Sequence, residues 1–197
     1  MSEQISIIKG ELRPVLVSAL FFMLLTGLAY PLFTTAVANV LFPYQAQGGL
    51  IRVDGEIIGA ELIGQPFTTP GYFHPRPSAV AYDAMAGYGS NLGPTNPKLT
   101  EKVAERVQAY RATNGLPEDA RVPVDAVTAS ASGLDPHISI ANARLQAARV
   151  AKARDLPQER VLGLIAEYST PRQLLLLGQP RVNVLKINLA LDALQRQ

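Results

Sequence analysis

The longest apolar stretch of the chain lies near its start, where no Asp, Glu, Lys or Arg occurs between Pro14 and Ile51. Its densest part reads VLVSALFFMLLTGLAY. A soluble core helix shows a polar face about every 3.6 residues, and this stretch shows none before Thr34. About 20 helical residues cross a hydrocarbon layer roughly 30 Å thick. The pattern therefore predicts a single transmembrane helix over residues 15–38.

Pro31 interrupts the predicted span, because proline has no backbone N–H to donate. We expect a kink near Gly27, one turn earlier, with a side chain such as the Thr26 hydroxyl serving a freed carbonyl group. Since glycine lets another backbone approach closely, Gly27 and Pro31 are candidates for packing against a partner helix. The alternative is a plain anchor whose kink makes no contact.

Short strands and long loops are predicted after the span. Residues 51–53 and 56–58 form a hairpin around an Asp-Gly pair, because glycine accepts a positive φ at little steric cost. The prolines of FTTPGYFHPRPSA, residues 67–79, exclude a regular helix or a central strand, so this segment is an ordered loop that buries aromatic side chains. Residues 81–97 predict a second long loop, and long loops in small domains are more often functional than accidental.

The next helix is predicted to begin at Thr100, whose hydroxyl can cap free N–H groups, and to end at Asn114, which glycine follows. Residues 122–128, VPVDAVT, have alternating apolar positions and predict a strand. Pro123 would place that strand at the edge of a sheet.

A further helix is predicted over residues 140–154. Two alternatives remain for its start: Asp135 with Pro136 at the first helical position, or Ser139 as the cap. Its apolar residues Ala141, Leu145 and Ala148 share one face with Lys152.

Two helices complete the prediction, one opened by Pro157 and one that begins at Asn183 or Val184. A small sheet early and helices late give an α+β fold class. The predicted organisation is one N-terminal transmembrane helix followed by a single domain over residues 42–197.

Composition and charge narrow the function classes. The 197 residues suit one anchor and one domain, and the net charge is +2, from 18 basic and 16 acidic residues. No basic stripe interleaved with aromatic residues occurs, so no nucleic-acid partner is predicted. The chain has no cysteine, which excludes disulfides and thiol chemistry.

Flanking charge predicts the orientation of the span. Lys9 and Arg13 precede it, whereas the first basic residue after it is Arg52. The positive-inside rule then places residues 1–14 in the cytoplasm and the domain on the other side of the membrane.

The alternative is a cleaved signal peptide with Ala36-Val37-Ala38 as its processing site. The apolar stretch is longer than the usual core of a signal peptide, which favours the anchor.

One segment, ASASGLDPHIS, holds the residue types of a nucleophilic triad in Ser132, Asp135 and His137, with Ser130 beside them. Triad members normally converge from separate segments, and no G-x-S-x-G elbow is present. Capping of free N–H groups is therefore favoured over catalysis. Contact with a partner or ligand outside the membrane is the intermediate possibility.

His74 and Arg76 form a second candidate group in YFHPRPS. A zinc site would need both histidines of the chain and a carboxylate such as Asp83 or Asp135, but no H-x-x-H or C-x-x-C spacing supports it. Arg76 is expected to fix a loop by binding backbone carbonyls or a carboxylate.

No nucleotide-binding loop of the form G-x-x-x-x-G-K-[ST] is present, and no D-K-T-G phosphorylation sequence occurs. This chain alone is therefore not expected to hydrolyse ATP.

Six segments together resemble the C subunit of the Kdp potassium-transporting ATPase of bacteria and archaea. They are RPVLVSALFFMLLTGLAYPL, IGAELIGQPF, YFHPRPSA, GSNLGPTNPKL, VTASASGLDPHIS and LGQPRVNVLKINLAL. Ile140 departs from the family, which usually has proline after DPHIS, and His74 stands where the family often has an aromatic residue. The second departure argues further against a metal role for His74.

The resemblance implies a non-catalytic accessory subunit of a P-type ATPase for potassium uptake. Its partners would be a potassium-selective channel-like subunit, an ATP-hydrolysing subunit and a small single-helix subunit, with membrane lipid around them. ATP and potassium would act at the level of the complex, and the family is described as a catalytic chaperone that raises ATP affinity. The candidate contact residues are His74, Arg76, Ser132, Asp135, His137 and Asn183. A membrane-tethered periplasmic hydrolase using Ser132, Asp135 and His137 is the competing class.

Cytosolic ATP cannot reach a domain outside the membrane, so we expect any effect on ATP affinity to be indirect and transmitted through the kinked helix. We also expect the loops over residues 67–97 to guard or narrow the potassium entrance of the channel-like subunit.

Overall fold

The computed structural model describes the backbone of residues 2–196 and the side chains of residues 12–196. Met1, part of the predicted cytoplasmic segment, lies outside the described residues. The chain divides into two compact units, residues 1–49 and 50–197.

The first unit is helical almost throughout. Helix α1 covers Ser2–Leu24, a π-helical segment covers Leu25–Ala29, and helix α2 covers Tyr30–Leu41. A four-residue helix, α3, follows at Pro43–Ala46. In the part of the chain that the structure describes, one helix is long and apolar enough to cross a membrane, Leu12–Leu41. The candidate span is therefore longer at both ends than the predicted residues 15–38.

The predicted irregularity near Gly27 takes the form of the π-helical segment, in which the N–H of Tyr30 donates to the carbonyl of Leu25. Proline cannot donate, and a widened turn is one way in which a helix accommodates the lost bond. The Thr26 hydroxyl donates to the carbonyl of Phe22 at 2.7 Å. Polar groups of this span thus bond to their own helix, as the absence of water in a bilayer requires.

The second unit begins with the predicted hairpin. Strand β1, Leu50–Val53, pairs antiparallel with β2, Glu56–Ala60. Asp54 and Gly55 both have positive φ at the turn, at 52° and 86°. Such a turn matches the twist of the flanking strands.

The rest of the unit is mainly helical, with a second small sheet. Helix α4 is Pro97–Asn114, the short α5 is Val124–Val127, α6 is Ile140–Arg154, α7 is Gln158–Glu167 and α8 is Val184–Gln195. Strands β3, His137–Ser139, and β4, Ser169–Thr170, pair antiparallel with the central β5, Arg181–Asn183. The α+β fold class is confirmed.

The hydrophobic core lies between α6, α7, α8 and the second sheet. Its members are buried apolar side chains, among them Ile138, Val150, Val161, Ile165, Val182, Ile187 and Leu191. Phe73, from the proline-rich loop, is fully buried in the same cluster. This aromatic residue anchors the predicted ordered loop to the core.

Two local predictions are wrong. The helix predicted from Thr100 begins at Pro97, because the Asn96 side chain accepts the N–H of Lys98 at 3.0 Å and proline suits the first helical turn. Residues 122–128 contain a helical turn instead of a strand. Ala126 and Val127 are buried, whereas Val124 is exposed. The spacing of the apolar residues therefore reflects a helical turn with one buried side.

Helix α6 has the predicted bounds, and Ser139 is its cap, since its hydroxyl accepts the N–H of Asn142 at 3.1 Å. The predicted face with Ala141 and Ala148 is exposed, whereas Asn142 and Gln146 lie on the buried face.

Candidate functional site

Arg76 and Asp135 meet across 59 residues of sequence. The Arg76 Nη1 donates to Asp135 Oδ2 at 2.8 Å, and each side chain is about a quarter exposed. Arg76 Nη2 also donates to the carbonyl of Thr128 at 3.4 Å. The arginine therefore fixes the loop as predicted, through a carboxylate and a backbone carbonyl.

Asp135 is also bonded on its other oxygen. The backbone N–H of His137 donates to Oδ1 at 3.0 Å, and the ring Nδ1 of His137 lies 3.5 Å from the same atom. Partial burial raises the pKa of Asp135, but the His137 bonds and then the Arg76 guanidinium lower it, and the net pKa lies below the ordinary value. Asp135 is thus held as a carboxylate between two nitrogen-bearing side chains.

A cavity of about 600 Å³ opens beside these groups. Arg76, Asp135 and His137 line one part of it, and Gln179 and Arg181 line another. Strands β3 and β5 bring the two parts together, because Ser139 pairs with Arg181 across the sheet. The cavity presents charges of both signs.

Ser132 takes no part in a triad. Its hydroxyl accepts the N–H of Leu134 at 3.1 Å, and the Ser130 hydroxyl accepts the N–H of Gly133 at 2.9 Å. Within residues 2–196 no hydrogen bond links Ser132 to His137. The two serines hold the turn that leads to Asp135, and the geometry assembles no nucleophile with a base.

His74 belongs to a separate group. Its backbone N–H donates to Gln146 Oε1 at 2.7 Å, its carbonyl accepts from Gln146 Nε2 at 3.0 Å, and its ring Nε2 lies 3.0 Å from the carbonyl of Thr69. Burial, followed by the charge of Arg149, lowers the pKa of His74. Among the described side chains, no three His, Asp or Glu groups lie close enough to hold a metal ion.

Asn183 is a buried helix cap. Its Oδ1 accepts the N–H of Lys186 at 3.0 Å, and its Nδ2 donates to the carbonyl of Glu61 at 2.7 Å. The Lys186 ammonium group pairs with the carboxylate of Glu61. Asn183 therefore joins α8 to the segment after β2, and it pairs with His137 between β5 and β3.

Sequence reasoning missed Gln179 and Arg181 as members of the cavity. The pattern GQPRVN held a signal, since its glycine, proline and arginine precede a buried Val-Asn pair. The pattern does not indicate that β5 pairs with β3, and this pairing brings Arg181 beside the DPHIS segment.

The fold and the site together define a class of protein: in the described residues, one candidate membrane-spanning helix precedes an α+β domain with a polar cavity. The family model described as "K+-transporting ATPase, c chain" matches residues 12–193. The chain belongs to this family, as a non-catalytic subunit and not a hydrolase.

Curated relatives support the same family. The chain is 55% identical over 187 residues to a protein of Gemmatimonas aurantiaca, covering 93% of each chain. It is 54% identical over 188 residues to a protein of Mycobacterium tuberculosis, covering 94% of this chain and all of the relative. It is 56% identical over 183 residues to a protein of Cereibacter sphaeroides, covering 93% and 97%. All three relatives are named potassium-transporting ATPase KdpC subunit.

Proposed function

We propose that this chain is the single-pass accessory subunit of a high-affinity, ATP-driven potassium uptake pump, required for assembly and full activity. The observation that carries the proposal is the family match over residues 12–193. Its proposed partners are a potassium-selective channel-like subunit, an ATP-hydrolysing subunit and a small single-helix subunit. Purification in mild detergent followed by mass spectrometry of the co-purifying chains tests it: isolation of the chain without partners contradicts it.

The proposed topology has residues 1–14 in the cytoplasm and residues 42–197 outside the plasma membrane. Its support is the placement of Lys9 and Arg13 before the span, with no further charge until Arg52. Because the chain has no cysteine, single cysteines can report each side. A membrane-impermeant maleimide applied to intact cells should label Met85→Cys, since Met85 is 94% exposed, and should not label Gln4→Cys. Labelling of Gln4→Cys alone would reverse the topology.

We further propose that the cavity beside Asp135 receives a polar segment of the channel-like subunit. Arg181 is the side chain to test, because it lines the cavity and no hydrogen bond holds its guanidinium within residues 2–196. Arg181→Gln should reduce co-purification of that subunit and leave the fold intact. Arg160→Gln, which removes an exposed arginine from α7, is the matched control. Equal recovery of the partner with both variants counts against this use of the cavity.

The loop over residues 81–97 is the proposed guard of the potassium entrance. Its support is exposure: Met85 and Tyr88 project at 94% and 56% exposure, whereas Phe73 of the preceding loop is buried. Deletion of residues 81–93 with assembly preserved should change the apparent potassium affinity, and Met85→Ser should do so without disturbing the backbone. Leu62→Ser, at another exposed apolar position, is the control. Unchanged affinity in the loop variants would contradict the proposal.

An effect on the ATP affinity of the hydrolysing subunit, if this chain exerts one, is proposed to be indirect. The support is the topology, which separates the domain from cytosolic ATP. Pro31→Ala, which restores a backbone donor in the span, should change the ATP concentration for half-maximal hydrolysis by the complex. A photoreactive ATP analogue that labels residues 42–197 would establish direct binding instead.

A further inference from the structure

Four consecutive leucines stand exposed at the tip of the connection between β4 and β5. Leu174, Leu175, Leu176 and Leu177, here called the leucine turn, are 84%, 85%, 80% and 59% exposed. By contrast, Leu164 and Leu185 on the neighbouring helices are almost fully buried. A contiguous exposed apolar patch marks an interaction site, since single exposed leucines are ordinary but a cluster is not.

Three backbone N–H groups of the leucine turn donate hydrogen bonds within the loop. The N–H of Gln173 donates to the carbonyl of Leu177, and the N–H of Leu177 donates back, both at 2.9 Å. The N–H of Leu176 also donates to Gln173, at 3.2 Å, and that of Leu175 donates to Arg172, at 3.4 Å. Unpaired backbone groups oppose entry into an apolar medium, so pairing of these three N–H groups lowers the cost of moving the turn to the boundary of a bilayer.

Two residues of the leucine turn have an unusual backbone conformation. Leu174 and Leu175 have φ of 50° and 64°, a left-handed conformation that is uncommon for leucine and usually occupied by glycine or asparagine. Glycine at these positions would relieve the conformation but remove the apolar side chains. All four leucine side chains are more than half exposed, and lipid can surround such a tip without a shaped pocket.

The flanking charge is of one sign. Arg172 and Arg181 bracket the leucine turn, and no acidic residue occurs between Glu167 and Asp192. An apolar tip with basic flanks and no carboxylate fits the boundary of a bilayer that contains anionic phospholipid.

We propose that the leucine turn inserts into the headgroup–acyl boundary of an anionic phospholipid bilayer, with Arg172 at the phosphate level. Only eight residues, 42–49, separate the end of α2 from the start of β1, and a linker of this length limits how far a tethered domain can move from a bilayer. The leucine turn could contact lipid on either side of the membrane, so this proposal does not depend on the proposed topology.

The absence of native cysteine allows a direct test. Leu175→Cys is labelled with an environment-sensitive fluorophore in the full chain, within its complex, in nanodiscs of phosphatidylcholine and phosphatidylglycerol. The proposal expects blue-shifted emission and quenching by lipids that carry a spin label near the top of the acyl chain. Asp119→Cys, in another exposed loop, is the matched control and should be quenched by aqueous iodide instead.

Two results would overturn the proposal. Iodide quenching of the Leu175 probe as strong as that of the Asp119 probe would place the turn in water. Protection from both iodide and spin-labelled lipid would show that a protein subunit covers it.

Charge is tested separately. When a protein lies on an anionic membrane, removal of one of its basic residues near the surface weakens its binding to the membrane by roughly fivefold. Arg172→Gln should therefore reduce lipid quenching of the Leu175 probe in anionic nanodiscs but not in phosphatidylcholine alone. Arg160→Gln, on α7, should reduce it in neither. Equal quenching in both lipids for the unmodified Arg172 would contradict the anionic part of the proposal.

Discussion

Asn188 and Phe73 are joined by two hydrogen bonds between an amide side chain and the backbone. Asn188 Oδ1 accepts the N–H of Phe73 at 2.8 Å, and Asn188 Nδ2 donates to the Phe73 carbonyl at 3.0 Å. Both residues are at most 1% exposed. Helix α8 therefore holds the proline-rich loop by its backbone while the Phe73 ring fills the core.

Asn188→Ala should destabilise the protein by about 2–4 kcal/mol, because it leaves a buried N–H and a buried carbonyl without partners. Urea titration of the full-length protein in detergent, followed by circular dichroism, measures the change. Gln108→Ala, which removes an exposed amide from α4, should have little effect. Equal stability of the two variants would mean that water or another group replaces Asn188.

Gly133→Ala should be strongly unfavourable. Gly133 has φ of 69°, and an added Cβ would lie 2.7 Å from both the Tyr88 carbonyl oxygen and Val80 Cγ2. We expect a loss of roughly 2–4 kcal/mol in unfolding free energy from strain and overpacking. Gly93→Ala has an unstrained φ and no atom within 4 Å of its new Cβ, so it should change stability by less than about 0.5 kcal/mol. Thermal denaturation of both variants decides the comparison.

Asp135 should make stability depend on acid pH. Since its pKa is lowered below 3.8 in the folded protein, the carboxylate stabilises the fold above that value, and the contribution is lost as pH falls through the folded pKa. Asp135→Asn should therefore lower the free energy of unfolding most near neutral pH, and progressively less below about pH 4. Asp119→Asn, in an exposed loop, should show no such trend. A pH-independent difference would remove ionisation from the explanation.

His74 should also make stability depend on pH, but here the folded protein favours the neutral form of the side chain. Burial and then Arg149 lower its pKa below 6.5, so below that pH the unfolded chain takes up a proton that the folded protein excludes. Stability is then lost as pH falls from about 6.5 towards the folded pKa. The ring NMR signal of His74 should titrate below 6.5 in the native protein and near 6.5 in concentrated urea. His74→Gln should flatten the same part of the stability profile.

Gly27 remains the predicted packing position of the span. Its own chain places nothing within 4 Å of a Cβ built there, so Gly27→Leu should leave the helix intact. If a partner helix packs at Gly27, the variant should reach the membrane in normal amounts but retain less of its partner subunits. Unaltered recovery of the complex would leave the glycine as a plain element of the anchor.

The sequence predicted local features whose cause is local. The hairpin with its Asp-Gly turn, the bounds of α6 and the apolar span all depend on neighbouring residues, and all are found in the structure. The predicted start of α4 at Thr100 is wrong although its signal is also local. Asn96 followed by proline marks a helix start better than Thr100 does.

The site was only partly predictable, for a different reason. His137 lies two residues from Asp135, so their hydrogen bond follows from spacing, as does the role of the serines in the same turn. Arg76 and Arg181 reach the site from distant segments, and only tertiary packing selects them. The buried polar face of α6 was hidden as well, because Gln146 is a poor core residue until it meets the backbone of His74.

The wide turn at Leu25–Ala29 has a geometric consequence for the anchor. One additional residue in a helical turn rotates everything beyond it by roughly 100° about the axis. The second half of the span therefore presents its side chains in directions that a regular helix of the same sequence would not give them. Deleting a single residue there would make the helix regular but would rotate its second half by the same angle. A shorter and more regular helix should therefore assemble less well in the membrane.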